Sequence, residues 1–281
     1  MRKVAHWLEH LANKGIDKER ALAGTGLMAC DLDDFYPTPI QYRNLLRNIV
    51  SLSPPGIGLE LGKQFSIADL GALGFAALSS STMLEVIALV RRYGGLNEIA
   101  TVYSEMIVGD DWIVTHATTF PLGECLPFHI EEQLLKAMKE IESYTGVPLN
   151  FKRLYFSYGE PAYVEKYHEI FRCPLYFGCD ENVWLIDSSY RELPVKLANP
   201  EVARICEKQC AKLMASHGPR LGTIIRKRLI MYSRPYPSLA EMARTLGLSV
   251  TALQRKLRDE GETFAEITDA VRKDFAVDYL S

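Results

Sequence analysis

Apolar residues recur at helical spacing through the first fifty positions. Val4, Leu8 and Leu11 predict a helix closed by Gly15; Asp17 caps a second helix carrying Ala21 and Leu22; Thr38 with Pro39 opens a third through Tyr42, Leu45, Leu46 and Ile49. Pro54-Pro55 ends that helix, because proline lacks the backbone donor and clashes with the preceding turn. Further on, Gly71-Ala72-Leu73-Gly74 offers a close backbone approach, and Thr82 with Glu85 predicts a capping box for an apolar helix stopped by Gly94-Gly95. The period then changes from helical to alternating. Residues 100–107 and 112–119, joined by Gly109-Asp110-Asp111, predict a β-hairpin. A long amphipathic helix is expected over 127–144, strands over 153–158, 175–178 and 183–187, a helix over 162–171 and another over 199–216. Strands interspersed with helices on short loops imply an α+β domain with a mainly antiparallel sheet.

The stretch from Ser238 to Asp259 has a different design. Leu239, Met242, Ala243 and Leu246 form one apolar helical set, Gly247 allows the positive φ of a tight turn, and Leu253 and Leu257 stand four apart on the next helix. Ser249 is placed to cap that second helix. This is a helix-turn-helix pattern. With Leu253 and Leu257 turned inward, Thr251, Gln254, Arg255 and Arg258 occupy the outer face, a set suited to base edges and phosphates in a DNA major groove. A helical hairpin with a merely solvated basic face is the alternative.

The run LGLSVTALQRKLRDEGETFAEITDAVRKDFAVDYL resembles the first half of the DNA-binding domain of AraC-type transcription regulators. The resemblance rests on Leu246-Gly247-Leu248-Ser249, Leu253-Gln254-Arg255-Lys256-Leu257, Gly261, Phe264 and the segment from Val271-Arg272 to Ala276, which is similar to the family's helix between two helix-turn-helix units. The sequence stops at Ser281, where the second unit of the family pattern begins, so the all-α C-terminal module is expected to be incomplete. Upstream, Gly58-Leu59-Glu60-Leu61-Gly62, Gly71 to Gly74, Ser80 to Leu84, Arg92-Tyr93 and Tyr167 through Phe177 resemble the arabinose-binding-like effector domain of one branch of that family. The resemblance implies an effector-binding or dimerisation domain over 1–216 and a DNA-binding module over 217–281, hinged at Ser216 to Arg220. It implies Thr251, Gln254 and Arg255 as base contacts, and Ser249, Lys256 and Arg258 as phosphate contacts. The implied partners are double-stranded DNA and a small-molecule effector, with a homodimer and RNA polymerase as further candidates. The rival expectation is a sensor protein that does not bind DNA alone and acts by pairing with an intact relative.

Composition narrows the classes. The 281 residues are 48% hydrophobic and 24% charged, with no uninterrupted apolar run near membrane-spanning length, so a cytoplasmic protein without membrane contact is expected. The net charge of −3 divides unevenly: residues 220–281 carry 11 Lys/Arg against 8 Asp/Glu, leaving −6 upstream. A mildly basic module on an acidic body fits a DNA reader joined to a domain that avoids DNA. The six cysteines, Cys30, Cys125, Cys173, Cys179, Cys206 and Cys210, are scattered, as expected of reduced thiols. Cys206 and Cys210 share a helix face, but no His or second Cys pair completes a zinc-like spacing, and no metal or cofactor is expected. His116, His129 and His168 lie among aromatics and carboxylates without a supporting catalytic motif; no HExxH, GxSxG or phosphate-binding glycine loop occurs, so an enzyme is not expected. Ten aromatic residues between Tyr155 and Tyr190 are read mainly as core, with a ligand pocket as the alternative; pocket residues are otherwise unassigned.

Overall fold

A computed structural model describes residues 2–28, 37–98, 100–217, 221–230 and 236–280. Three helices come first: α1 (Arg2–Asn13), α2 (Lys18–Leu22) and α3 (Pro39–Leu52). Asp17 accepts the Glu19 N–H at the start of α2, and Thr38 and Gln41 form a reciprocal capping box at the start of α3. Their apolar faces, with Val4, Leu8, Leu11, Tyr42 and Leu45 fully buried, make a helical core shared with Phe120 and Phe128.

The helices α4 (Ile57–Lys63), α5 (Ala72–Leu78) and α6 (Met83–Tyr93) lead to the hairpin β1 (Thr101–Val108) and β2 (Asp111–Thr118), then to the long helix α7 (Leu126–Thr145). Gly58 and Gly62 explain how α4 lies on α7. A Cβ on Gly58 would stand 2.5 Å from the Phe128 carbonyl oxygen, and one on Gly62 would stand 2.6 Å from Leu135 Cβ, so only glycine permits this approach. At α6, Thr82 accepts the Glu85 N–H as expected, but the Glu85 carboxylate bonds the Ser81 N–H at 2.7 Å instead of that of Thr82. The expected capping box is thus offset by one residue. Its cause is tertiary: Thr82 forms a β-bridge with Pro194, and the Met83 N–H goes to Leu193.

The remaining strands are β3 (Phe151–Tyr155), β4 (Leu175–Tyr176) and β5 (Asn182–Asp187), with α8 (Val164–Phe171) between β3 and β4. The sheet order is β1-β2-β5-β3-β4. Three pairings are antiparallel and β3–β4 is parallel, the connection through α8 making that direction attainable. The sheet is therefore mainly antiparallel, with β3 starting earlier and β4 shorter than the alternation in the sequence suggests. One face of the sheet packs on α7 and α8 around Leu134, Tyr144, Phe151, Phe156 and Tyr167.

Helix α9 (Pro200–His217) returns against α5, burying Cys210 beside Leu70, Leu73 and Tyr93. The last four helices, α10 (Leu221–Ile230), α11 (Leu239–Thr245), α12 (Val250–Asp259) and α13 (Phe264–Leu280), have their own core of Ile225, Leu229, Met242, Leu253, Leu257 and Val271. Residues 218–220 of the expected hinge lie outside the described residues.

Candidate functional site

Two regions carry chemistry, and the helix-turn-helix is built by local rules. Ser238 and Glu241 form a capping box for α11, Gly247 turns the chain at φ +66°, and Ser249 accepts the Ala252 N–H to cap α12. Leu253 and Leu257, fully buried, fix the rotation of α12; burial of each contributes about 1.5–3 kcal/mol. Glu260 caps α10 from a distance, its two oxygens accepting the Leu221 and Gly222 N–H groups at 2.7 and 3.0 Å. The rotation leaves Ser249, Thr251, Gln254, Arg255, Lys256 and Arg258 all exposed. Thr251, Gln254, Arg255 and Arg258 fall at i, i+3, i+4 and i+7 on one stripe, and Lys256 lies on its flank. Arg255, Lys256 and Arg258 have no ion-pair partner among the described residues. By contrast, Arg226 pairs with Glu262 at 3.7 Å and Arg228 donates to the Thr245 carbonyl at 2.9 Å; both are engaged within the module, and the Lys227 side chain lies outside the described residues.

The second region is an open cavity of about 930 Å³ bordered by the sheet, α6 and α7. The sheet contributes Tyr103, Trp112, His116 and Trp184; α6 contributes Met83, Val86 and Val90. The face of α7 turned to it carries Gln133, Lys136, Glu140 and Tyr144, so an apolar chamber has a charged wall. Met214, Ile224 and Arg228 border it from the C-terminal side. His116 stacks on Trp184 with ring centroids 3.6 Å apart. Neither His116 ring nitrogen, nor Trp184 Nε1, nor the Tyr144 hydroxyl has a hydrogen-bond partner among the described residues, although all four atoms are buried. Unpaired buried polar atoms are uncommon in folded proteins, and these four belong to residues that line the cavity.

Behind the charged wall lies a network reaching the N-terminal helix. Lys3 of α1 bonds Glu98 at 2.8 Å and stands 3.7 Å from Glu132; Gln133 donates to both carboxylates. Burial raises the pKa of Glu98, but Lys3, Lys136 and His129 outweigh it and hold that carboxyl below the usual range. Burial dominates at Glu131, Glu132 and Glu140 and raises each. The Tyr103 phenol is pushed up to about 12 by burial and by Glu105. Burial lowers His116 to about 3 and His129 to about 4, so both rings are neutral near pH 7; His129 shares a 2.8 Å hydrogen bond with Thr101.

The other candidates fall outside these regions. Of the aromatics from Tyr155 to Tyr190, Trp184 lines the cavity, whereas Phe156, Tyr167 and Phe171 are core. Tyr163 and Tyr167 each donate to Glu131 Oε1 at 2.7 Å, a polar cluster on the other side of α7. Cys206 and Cys210 lie on α9, with Cys210 buried, and no cluster of three metal-ligating side chains occurs among the described residues. Cys30 lies outside the described residues. Sequence reasoning left the cavity residues unassigned, and the one local signal was the alternation that puts Trp112, Val114 and His116 on one face of β2.

A cavity-bearing α+β module followed by a helical module with a capped helix-turn-helix is the architecture of helix-turn-helix transcription regulators. Comparison with known proteins narrows the class. The model of the N-terminal arabinose-binding domain of AraC transcription regulators matches residues 15–195. The chain belongs to the AraC family of transcription regulators, in the group with that domain. The ornithine utilization regulator of Pseudomonas aeruginosa is 32% identical over 231 residues, covering 81% of this chain and 68% of that protein. An uncharacterised HTH-type transcriptional regulator of Mycobacterium tuberculosis is 25% identical over 95% of this chain and 80% of its own length. The crystal structure of the transcriptional regulator CdpR from Pseudomonas aeruginosa has a similar fold, with a TM-score of 0.50 at 22% identity over 93% of this chain and 84% of that one. Transcription regulators of this kind are generally not enzymes. No helix among the described residues is long and apolar enough to cross a membrane.

Proposed function

We propose that the protein is a DNA-binding regulator in which α12 reads the major groove and the cavity between sheet, α6 and α7 holds a small-molecule effector. The observation that carries the reading is the exposed stripe on α12, where cations without ion-pair partners among the described residues stand beside Thr251 and Gln254. Thr251, Gln254 and Arg255 reach base edges, while Ser249, Lys256 and Arg258 hold phosphates. The effector acts by favouring one arrangement of the two modules, and it shifts that balance only by its difference in affinity between them. Met214 of α9 and Ile224 of α10 border the cavity, so a ligand there has a short path to the helical module.

The reading is tested by footprinting the protein on DNA upstream of its own and neighbouring genes, across a salt series. Arg255→Ala is expected to lower specific affinity by about 1–3 kcal/mol and to relax selectivity at one position. Lys256→Ala is expected to weaken all sequences alike and to reduce the salt slope by about 0.9. A protein that gives no salt-dependent footprint, and whose Arg255→Ala variant behaves identically, would remove α12 from any DNA interface and favour the sensor that acts through an intact relative.

A further inference from the structure

The cavity also carries information about what it binds, on the footing that it is the effector site. Lys136 and Glu140 are one turn apart on the α7 wall, with side chains 12% and 21% exposed. Their charged atoms are 4.0 Å apart, and the other carboxylate near Lys136, that of Glu98, is 3.9 Å away. Close charge-assisted hydrogen bonds run at about 2.7–2.9 Å, so these are long ion pairs, and the Lys136 ammonium also lies 5.8 Å from the centroid of the Phe65 ring. Neither side chain makes a hydrogen bond among the described residues, whereas Glu98 is held firmly by Lys3 and Gln133.

Each simple ligand class meets a conflict here. A plain anion that reaches Lys136 also meets Glu98 and Glu140; a plain cation that reaches Glu140 also meets Lys136. A sugar needs polar partners around its whole ring, and the opposite walls are Met83, Val86, Val90 and Trp112. A molecule with both charges on one small carbon centre satisfies Lys136 and Glu140 together and leaves the charge of the cavity unchanged. We propose that the cavity takes a zwitterion of the α-amino acid class. Its carboxylate lies on Lys136, its ammonium lies on Glu140, and its side chain extends towards the stacked His116 and Trp184. The Trp184 Nε1 and the Tyr144 hydroxyl, buried on the cavity lining without a hydrogen-bond partner among the described residues, offer further polar contacts to such a ligand. Among the relatives, one is named an ornithine utilization regulator, in agreement with that class.

The test uses the full chain, followed by calorimetric titration and by tryptophan fluorescence. Of the three tryptophans, Trp112 and Trp184 line the cavity and Trp7 packs on Phe128 away from it. The probes are the protein amino acids and ornithine. For the tightest of them, the decarboxylated amine and the deaminated acid are measured alongside, with L-arabinose and decanoate as neutral and anionic controls. At least one amino acid is expected to bind, with each half-charged analogue weaker by at least about tenfold. Lys136→Gln and Glu140→Gln are expected to lose a similar factor. The analogue comparison needs only the unaltered protein, so it decides even if those variants fold poorly. Tight binding of decanoate or arabinose without any amino acid would overturn the zwitterion while keeping the cavity as effector site. Equal binding of amino acid and half-charged analogue would overturn the roles of Lys136 and Glu140. No fluorescence or heat response to any probe would overturn the ligand class together with the effector role of the cavity.

Discussion

Helices α7 and α12 are both charged along one face, and they use that charge in opposite ways. On α12 the cations face solvent and have no partner among the described residues, while Leu253 and Leu257 do the packing on the other side. On α7 the charged face is inside: Glu131 and Glu132 are each 1% exposed, and Lys136 and Glu140 line a cavity. A solvated charge costs the fold little and stays available to a partner. A buried one has to be neutralised by groups brought from elsewhere, and on α7 these come from Lys3 in α1, from Glu98 and from Tyr163 and Tyr167 at α8. The same amphipathic pattern thus yields an open reading surface in one module and a tertiary polar network in the other.

The sharpest way to break this contrast is to delete one charge from each. Glu98→Ala removes the carboxylate that Lys3 bonds at 2.8 Å and that stands 3.9 Å from Lys136. A loss of about 3–5 kcal/mol in urea unfolding is expected. Arg255→Ala on the exposed stripe is expected to change stability by no more than about 0.5 kcal/mol. Equal effects from the two variants would mean that the buried network does not hold the N-terminal α+β domain together.

The contrast also explains what could be read in the sequence. The caps at Asp17, Thr38, Ser238 and Ser249, the turn at Gly247, the inward leucines of α12 and the hairpin of β1 and β2 all follow from neighbours within about four residues or one turn. The cavity does not. Lys3 and Glu98 are 95 positions apart, and Trp184 meets His116 only because β5 inserts beside β2 in the sheet order. The one misplaced cap, at Thr82 and Glu85, failed for the same reason, since the 193–195 segment took the position that local rules assign to the box.

A smaller effect at neutral pH, but a large one in acid, separates fold from ligand chemistry at His116. Its pKa of about 3 lies below the roughly 6.5 of an unfolded chain, so between those values the unfolded state takes up a proton that the native state refuses. Stability from this group is complete above about pH 6.5 and is lost as pH falls towards 3. Glu131, Glu132 and Glu140, with raised pKa values, act in the opposite direction, so only a difference between variants isolates the histidine. His116→Phe keeps a ring against Trp184 and loses no hydrogen bond. It is expected to match the parent at pH 7.5 within about 1 kcal/mol and to exceed it by about 3 kcal/mol at pH 4. Parallel profiles would mean that His116 protonates freely in the native state.

The smallest expected effect separates the two duties proposed for Ser249. Its Oγ accepts the Ala252 N–H at 3.2 Å and so caps α12, while its hydroxyl proton remains available to a phosphate. Ser249→Ala removes both and is expected to cost about 1 kcal/mol of stability along with some DNA affinity. Ser249→Asp keeps a good cap and favours the N-terminal end of the helix dipole, yet places a carboxylate where DNA would bring an anion. Stability close to that of the parent, together with a DNA affinity below that of the alanine variant, is therefore expected from the aspartate. If both variants bind DNA in proportion to their stability alone, Ser249 serves the fold only, and the phosphate contacts of α12 reduce to Lys256 and Arg258.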